Sequence, residues 1–247
     1  MRLEDVDRKK IKLVCLDSDG VTVRKGTDFL ADGRMETFGL RRRVYQWLEQ
    51  LKSPYWVNIT SGRCMDFLKV RYGGLWGDKF SLQSEIGNFT WIDGKVWEEE
   101  WSGDEWRLRE EMEKRLRFRL EGKLGVKGFE PKEKIITVHC RERMKIIESV
   151  VSEVDKDGWF YCWWNGEAFD IGLKRINKKT ALLRLIEHLG IEMSEVMTVG
   201  NGVNDAQMED KAGVSVSTNG QELGADVVLE GEERGGERVM EWLIGEK

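Results

Sequence analysis

No stretch of this 247-residue chain approaches the roughly 20 consecutive apolar residues that a bilayer-crossing helix needs, so no membrane span is expected. The charged amino terminus is followed by neither a long apolar segment nor a small-residue cleavage pattern, which argues against a secretory leader. Cysteine is sparse and scattered, at Cys15, Cys64, Cys140 and Cys162. With no Cys-x-x-Cys pair and no Cys/His cluster there is no zinc-ribbon pattern, and reduced thiols in a cytoplasmic protein are the simplest account. His139 and His188 stand alone, without the companions a nucleophilic triad needs, and are read as structural. Excess positive charge is also missing. The net charge of −5 gives no general attraction to nucleic acid or to anionic membranes. The compact basic run Arg41-Arg42-Arg43 lies on a helix whose Leu40, Val44, Trp47, Leu48 and Leu51 face inward, so it reads as that helix's solvated face. There is no internal repeat and no low-complexity linker. Having only two prolines and 34% charged residues would suit a heat-adapted source.

What the chain does carry is three short signatures in a fixed order, each placed where a strand should give way to a loop or helix. They are Asp17-Ser18-Asp19-Gly20 after Ile11 to Leu16, Ser61-Gly62-Arg63 after Trp56 to Ile59, and Gly200-Asn201-Gly202-Val203-Asn204-Asp205 after Val196 to Val199. Ligands of open α/β sheets bind outside the carboxyl ends of the strands. Carboxylates, a hydroxyl and glycines delivered to that edge by three stretches therefore describe one site.

Asp17 and Asp19 would point to opposite faces of a continuing strand. If the strand ends at Asp17 and the chain turns at Gly20, both carboxylates can face one cleft. One carboxylate can then attack phosphorus, while the other protonates a leaving oxygen and later activates water. Asp and Gly also make ordinary solvated turns, which is the competing reading. A fourth element is a lysine. Residues 178–189 read as a helix, with Asn177 as N-cap, Gly190 as stop, and Ala181, Leu182, Leu185, Ile186 and Leu189 as its apolar stripe. Lys178 and Lys179 occupy its first turn, where the helix dipole disfavours cations unless an anion binds there.

Taken together, these segments resemble the haloacid dehalogenase-like phosphatase superfamily, in the sugar-phosphatase-like branch whose cap is inserted between the second and third signatures. The resemblance implies an α/β fold: a Rossmann-like core with a parallel sheet, residues 1–86 and 174–247, and an inserted α+β cap, residues 87–173. It implies Asp17 as nucleophile and Asp19 as general acid/base. Ser61, with Gly62, would hold the phosphoryl oxygens; Thr60 is the alternative hydroxyl. Lys178 matches the family's lysine, although Lys179 stands where the family pattern has glycine and competes with it. Asn204 would orient Lys178 or the loop. Mg2+ is the implied cofactor, held by Asp17, the backbone carbonyl of Asp19, Asn201 and Asp205. The family usually has aspartate where this chain has Asn201, so one negative charge is missing near the ion, a deficit of up to ~4 kcal/mol at about 4 Å and an effective dielectric of about 20. Val21 stands where many relatives have threonine, in a position that mostly supports the loop.

The middle of the chain reads as a hairpin over 89–97 turning at Asp93-Gly94, a helix over 104–121, a strand over 135–140, a helix over 144–154, and a second hairpin, 159–164 with 168–173, around Asn165-Gly166. Family caps hold the part of the substrate that is not phosphate, and Arg141, Trp163, Trp164 and Asn165 are the candidates here. The expectation is a monomeric or homodimeric Mg2+-dependent phosphatase of a small phosphorylated metabolite, a sugar phosphate or phosphoglycolate-like compound, working through an aspartyl-phosphate. A phosphomutase or a non-catalytic phosphate-binding protein are the alternatives. A dehalogenase is disfavoured because Asp19, the acid an alcohol leaving group needs, is present.

Overall fold

The structure is a computed structural model that describes residues 1–30, 34–209, 212–220, 224–231 and 233–245. It divides into two compact units: residues 1–25, 38–98 and 177–247 form the first, and residues 26–37 and 99–176 the second.

The first unit is built on an eight-stranded sheet in the order Val227–Val228, Val214–Ser217, Val196–Gly200, Leu13–Asp17, Trp56–Thr60, Phe80–Ser84, Phe89–Ile92, Lys95–Glu98. The first six strands run parallel, and the last two are antiparallel additions at one edge. The Leu13–Asp17 strand is buried along its whole length, as expected of a continuous apolar run in a parallel sheet covered on both faces. Its alternate residues serve opposite layers. Val14 and Leu16 join the cluster containing Val44, Leu48, Leu68, Val239 and Met240. Leu13 and Cys15 join Leu182, Leu185, Ile186 and Met208 on the other side.

This strand pairs with Val196–Gly200 on one side and Trp56–Thr60 on the other, with Leu16 opposite Val199 and Asp17 opposite Thr60. The strand order thus reverses around it, and the three parallel strands end side by side. That is the crevice position for ligands in such sheets.

The second unit has a four-stranded antiparallel sheet, ordered Phe160–Trp164, Ala168–Leu173, Ile136–Cys140, Val126–Glu130. The helices Gly103–Leu120 and Lys145–Val154 share its core with Ile136, Val138, Phe160, Phe169 and Ile171. Ser102 and Glu105 form a reciprocal capping box at the start of the long helix.

Two boundaries differ from the sequence reading. The hairpin over 89–97, placed in the cap by its position, extends the first unit's sheet: Phe89–Ile92 pairs with Phe80–Ser84, and Phe89, Trp91 and Ile92 enter that unit's clusters. The insertion accordingly runs from 99 to 176 rather than 87 to 173. Residues 26–37, read as core, group with the second unit, where Thr27–Phe29 pairs with Met35–Thr37 and Phe29 lies over His139 at a ring separation of 5.2 Å.

Candidate active site

All the candidate phosphoryl-chemistry residues lie in the first unit. Asp17 is the last residue of the central strand, and its Oδ1 accepts a 2.6 Å hydrogen bond from Lys178 Nζ. The same ammonium donates to Asp205 Oδ1, also at 2.6 Å. Lys178 and Asp205 are wholly buried and Asp17 nearly so. Lys178 opens the Lys178–Leu189 helix, whose Asn177 cap exchanges hydrogen bonds with Thr180. The cation in the first turn, anomalous by the dipole rule, is compensated by these two carboxylates. Lys178 is the lysine that reaches them.

Burial raises the Asp17 carboxyl, the Lys178 charge opposes this and the neighbouring Asp205 adds to it, leaving Asp17 pushed up to about 7. Burial alone would lower Lys178, but the adjacent Asp17 and Asp205 outweigh it and hold the ammonium charged. Asp205 is oriented from its other oxygen, which accepts from the backbone N–H groups of Asn201 at 2.9 Å and Gly202 at 3.0 Å. Gly20 has φ +96°, and a Cβ there would collide with the side-chain amide of Asn201. Glycine is therefore required on both grounds. The backbone carbonyl of Asn201 accepts from Asn219 Nδ2.

Asp19 follows the turn and is gripped by two arginines. Arg63 Nε and Nη2 reach Asp19 Oδ2 and Oδ1 at 3.3 and 3.2 Å, and Arg71 Nη1 reaches both oxygens at 3.3 Å. Burial would raise Asp19, but the two guanidiniums overcome it and hold the carboxyl below its ordinary value. Both guanidiniums lie over Phe67, at 5.3 and 4.4 Å. Ser61 is buried just beyond the Trp56–Thr60 strand, and its Oγ accepts from Arg63 N at 3.2 Å. Thr60 is buried one residue earlier, and its Oγ1 has no hydrogen-bond partner among the described residues. Gly62 has open space around it apart from Ile86, 3.8 Å from where its Cβ would stand.

Two roles were open to Asn204, orienting Lys178 or orienting the loop. Among the described residues the hydrogen-bond partners of Lys178 Nζ are Asp17 and Asp205. Asn204 instead lies beside Gly202, its Oδ1 2.7 Å from where a Cβ on that glycine would stand. Arg71 and Tyr72 were missed by the sequence reading. The signal available was the spacing Arg63-x3-Phe67-x3-Arg71, which places both arginines on the side of one aromatic ring.

The cap candidates lie in the second unit, where some carry structural duties. Trp164 packs against Phe169 at 4.9 Å in that unit's core. Asn165 Oδ1 accepts from Glu167 N and Ala168 N at 3.0 and 2.9 Å, which makes it the turn former of its hairpin. Trp163 stacks on Tyr161 at 3.9 Å, and Arg141 is exposed after the Ile136–Cys140 strand.

The donor set suits a hard divalent cation. Two buried carboxylates face a single ammonium, and Asn201 offers a neutral amide oxygen beside the same turn. No group of three acidic, histidine or cysteine side chains that could hold a metal occurs among the described residues.

A family model described as haloacid dehalogenase-like hydrolase matches residues 108–221. Over 131 residues the chain is 30% identical to the phosphoglycolate phosphatase of Methanopyrus kandleri, a match that spans 50% of this chain and 56% of that protein. Among solved structures, the C-terminal domain of Candida albicans trehalose-6-phosphate phosphatase superposes with a TM-score of 0.76 at 18% identity, covering 96% of this chain and 92% of that one. A sugar phosphatase of haloacid dehalogenase subclass IIB gives a TM-score of 0.65 at 17% identity over 95% and 100% of the two chains. A Thermoplasma acidophilum protein gives 0.68 at 18% identity over 94% and 96%. The sequence likeness to the haloacid dehalogenase-like hydrolases thus covers residues 108–221, and the fold is shared over nearly the whole chain with these solved structures.

Proposed function

We propose that this protein is a phosphatase of a small phosphorylated metabolite, of the phosphoglycolate or sugar phosphate type, acting through an aspartyl-phosphate at Asp17. The observation that carries the reading is the buried Asp17–Lys178–Asp205 cluster at the carboxyl ends of adjacent parallel strands. The names of the relatives with this fold support the substrate class.

Asp17 attacks phosphorus, forming an O–P bond as the bond to the leaving oxygen breaks. Asp19, which must first take up a proton from solvent against the pull of Arg63 and Arg71, gives it to that oxygen, so an alcohol departs. A water molecule then attacks phosphorus and loses its proton to Asp19, and cleavage of the aspartyl bond releases phosphate and restores the Asp17 carboxylate. Ser61, the backbone at Gly62 and Lys178 stabilise charge on the phosphoryl oxygens, the dominant contribution in phosphoryl transfer. Asp17, Asp205, Asn201 and the backbone carbonyl of Asp19 would hold Mg2+, which when bound would neutralise charge on the phosphate.

The test is phosphate release from a panel containing 2-phosphoglycolate and sugar phosphates, with Mg2+, with EDTA, and with Asp17→Asn. Turnover requiring both the metal and Asp17 supports the proposal. A folded protein that releases no phosphate from any compound contradicts it.

A further inference from the structure

We infer that Arg71 is a positioning residue for Asp19, with Tyr72 fixing the turn on which Asp19 stands; the inference rests on the phosphatase reading above. Arg71 ends the Met65–Arg71 helix with its side chain only 4% exposed. Its Nη1 lies 3.3 Å from each oxygen of Asp19 and 3.0 Å from Ser18 Oγ, and its Nη2 donates to the carbonyl of Phe38 at 3.2 Å. The next residue, Tyr72, is fully buried, and its hydroxyl is shared between Ser18 Oγ at 2.8 Å and Thr22 Oγ1 at 2.6 Å. Burial pushes the Tyr72 phenol up to about 12, so it remains a neutral hydroxyl that can both donate and accept. Thr22 Oγ1 in turn reaches the carbonyl of Ser18 at 3.1 Å.

Two consecutive side chains at one helix end therefore hold the turn at Ser18, Asp19 and Thr22. A buried guanidinium is costly and calls for a compensating role. Neutralising Asp19 is not enough to explain it, because Arg63 already presents a two-nitrogen fork to the same carboxylate. A carboxylate held by one arginine can move with that side chain. Held also by Arg71, from a different element, it keeps one orientation unless both grips break. Orientation is what a proton-transfer group needs, since a misplacement of about 1 Å can cost ~10²-fold in rate.

The experiment compares kcat/KM for ethyl phosphate and p-nitrophenyl phosphate in wild type, Arg71→Gln and Tyr72→Phe, all with Mg2+. This parameter reports transfer to Asp17 and is insensitive to the later hydrolysis. Nitrophenolate leaves without proton assistance, whereas ethanol needs it. Loss of positioning should lower the ethyl-to-nitrophenyl ratio at least about tenfold in Arg71→Gln, toward the ~10²–10⁴ that a positioned acid contributes. A smaller loss of the same sign is expected in Tyr72→Phe, which removes one hydroxyl and decides the matter if Arg71→Gln fails to fold. Equal losses on both esters, or no loss, overturn the positioning role and leave the phosphatase reading standing. A wild type that releases phosphate from neither ester nor any compound of the metabolite panel overturns that reading and the positioning role with it.

Discussion

Lys178 Nζ lies 2.6 Å from Asp17 Oδ1 across 161 residues of sequence, and both groups are buried. The helix that carries the lysine and the strand that ends in the aspartate share the cluster of Leu13, Cys15, Leu182 and Leu185, so ordinary apolar packing sets the distance between the charges. Removing the ammonium should therefore be costly twice over. Lys178→Met leaves two buried carboxylates facing each other and is expected to lose ~3–5 kcal/mol of stability, measured by urea unfolding, together with phosphate release.

The pH dependence of stability follows from Asp17, whose folded pKa of about 7 exceeds its ordinary value of 3.8. Between those values the folded chain keeps a proton that the unfolded chain has lost. The Asp17 contribution is therefore fully present below about pH 4, declines as pH rises, and is lost above about pH 7. In metal-free protein, the stability of Asp17→Asn relative to wild type should rise over that window and level off above it. Chemical unfolding at a series of pH values checks this; a flat difference across the window contradicts it.

Metal binding should appear as stabilisation, because a ligand of the folded state adds RT ln(1 + [L]/Kd). Mg2+ is expected to raise Tm in wild type and not in Asp205→Asn. Asn201→Asp restores a carboxylate beside the turn and should tighten Mg2+ at least about tenfold in a calorimetric titration, equivalent to ~1.4 kcal/mol. Unchanged affinity would place Asn201 outside the metal's reach.

Gly20→Ala combines a positive φ of +96° with a collision against the Asn201 side chain. The left-handed backbone alone costs roughly 1–2 kcal/mol for a residue with a Cβ. Displacing Asn201 adds to that, so a lower Tm and weaker Mg2+ binding are expected together. Gly166→Ala also has a positive φ, +93°, but open space around it, and should cost only the backbone component.

Much of the site was legible because its residues end strands of unambiguous character. The apolar run before Asp17 has one plausible role, and the stripe and caps of residues 178–189 set the register that turns Lys178 inward. What was not legible depended on which sheet a strand joins. Alternation over 89–97 reveals a hairpin but not its partner, and here Trp91 pairs with Leu82 in the core sheet. Val126–Glu130 gave little strand signal because Gly128 interrupts it, and the close approach of Phe29 to that glycine is visible only in the fold. Arg71 stands in the last turn of its helix, where a cation already has an electrostatic explanation. Its grip on Asp19 needs the turn and the helix end to meet in space.

The most direct test of the central claim is to trap the phosphorylated protein. Wild type turning over its best substrate with Mg2+ is quenched in acid and digested, and the peptide spanning Asp17 is examined by mass spectrometry. The account predicts a phosphoryl group on Asp17 that is labile to hydroxylamine and absent in Asp17→Asn. A phosphoryl group on another residue, or rapid turnover by Asp17→Asn, would contradict it.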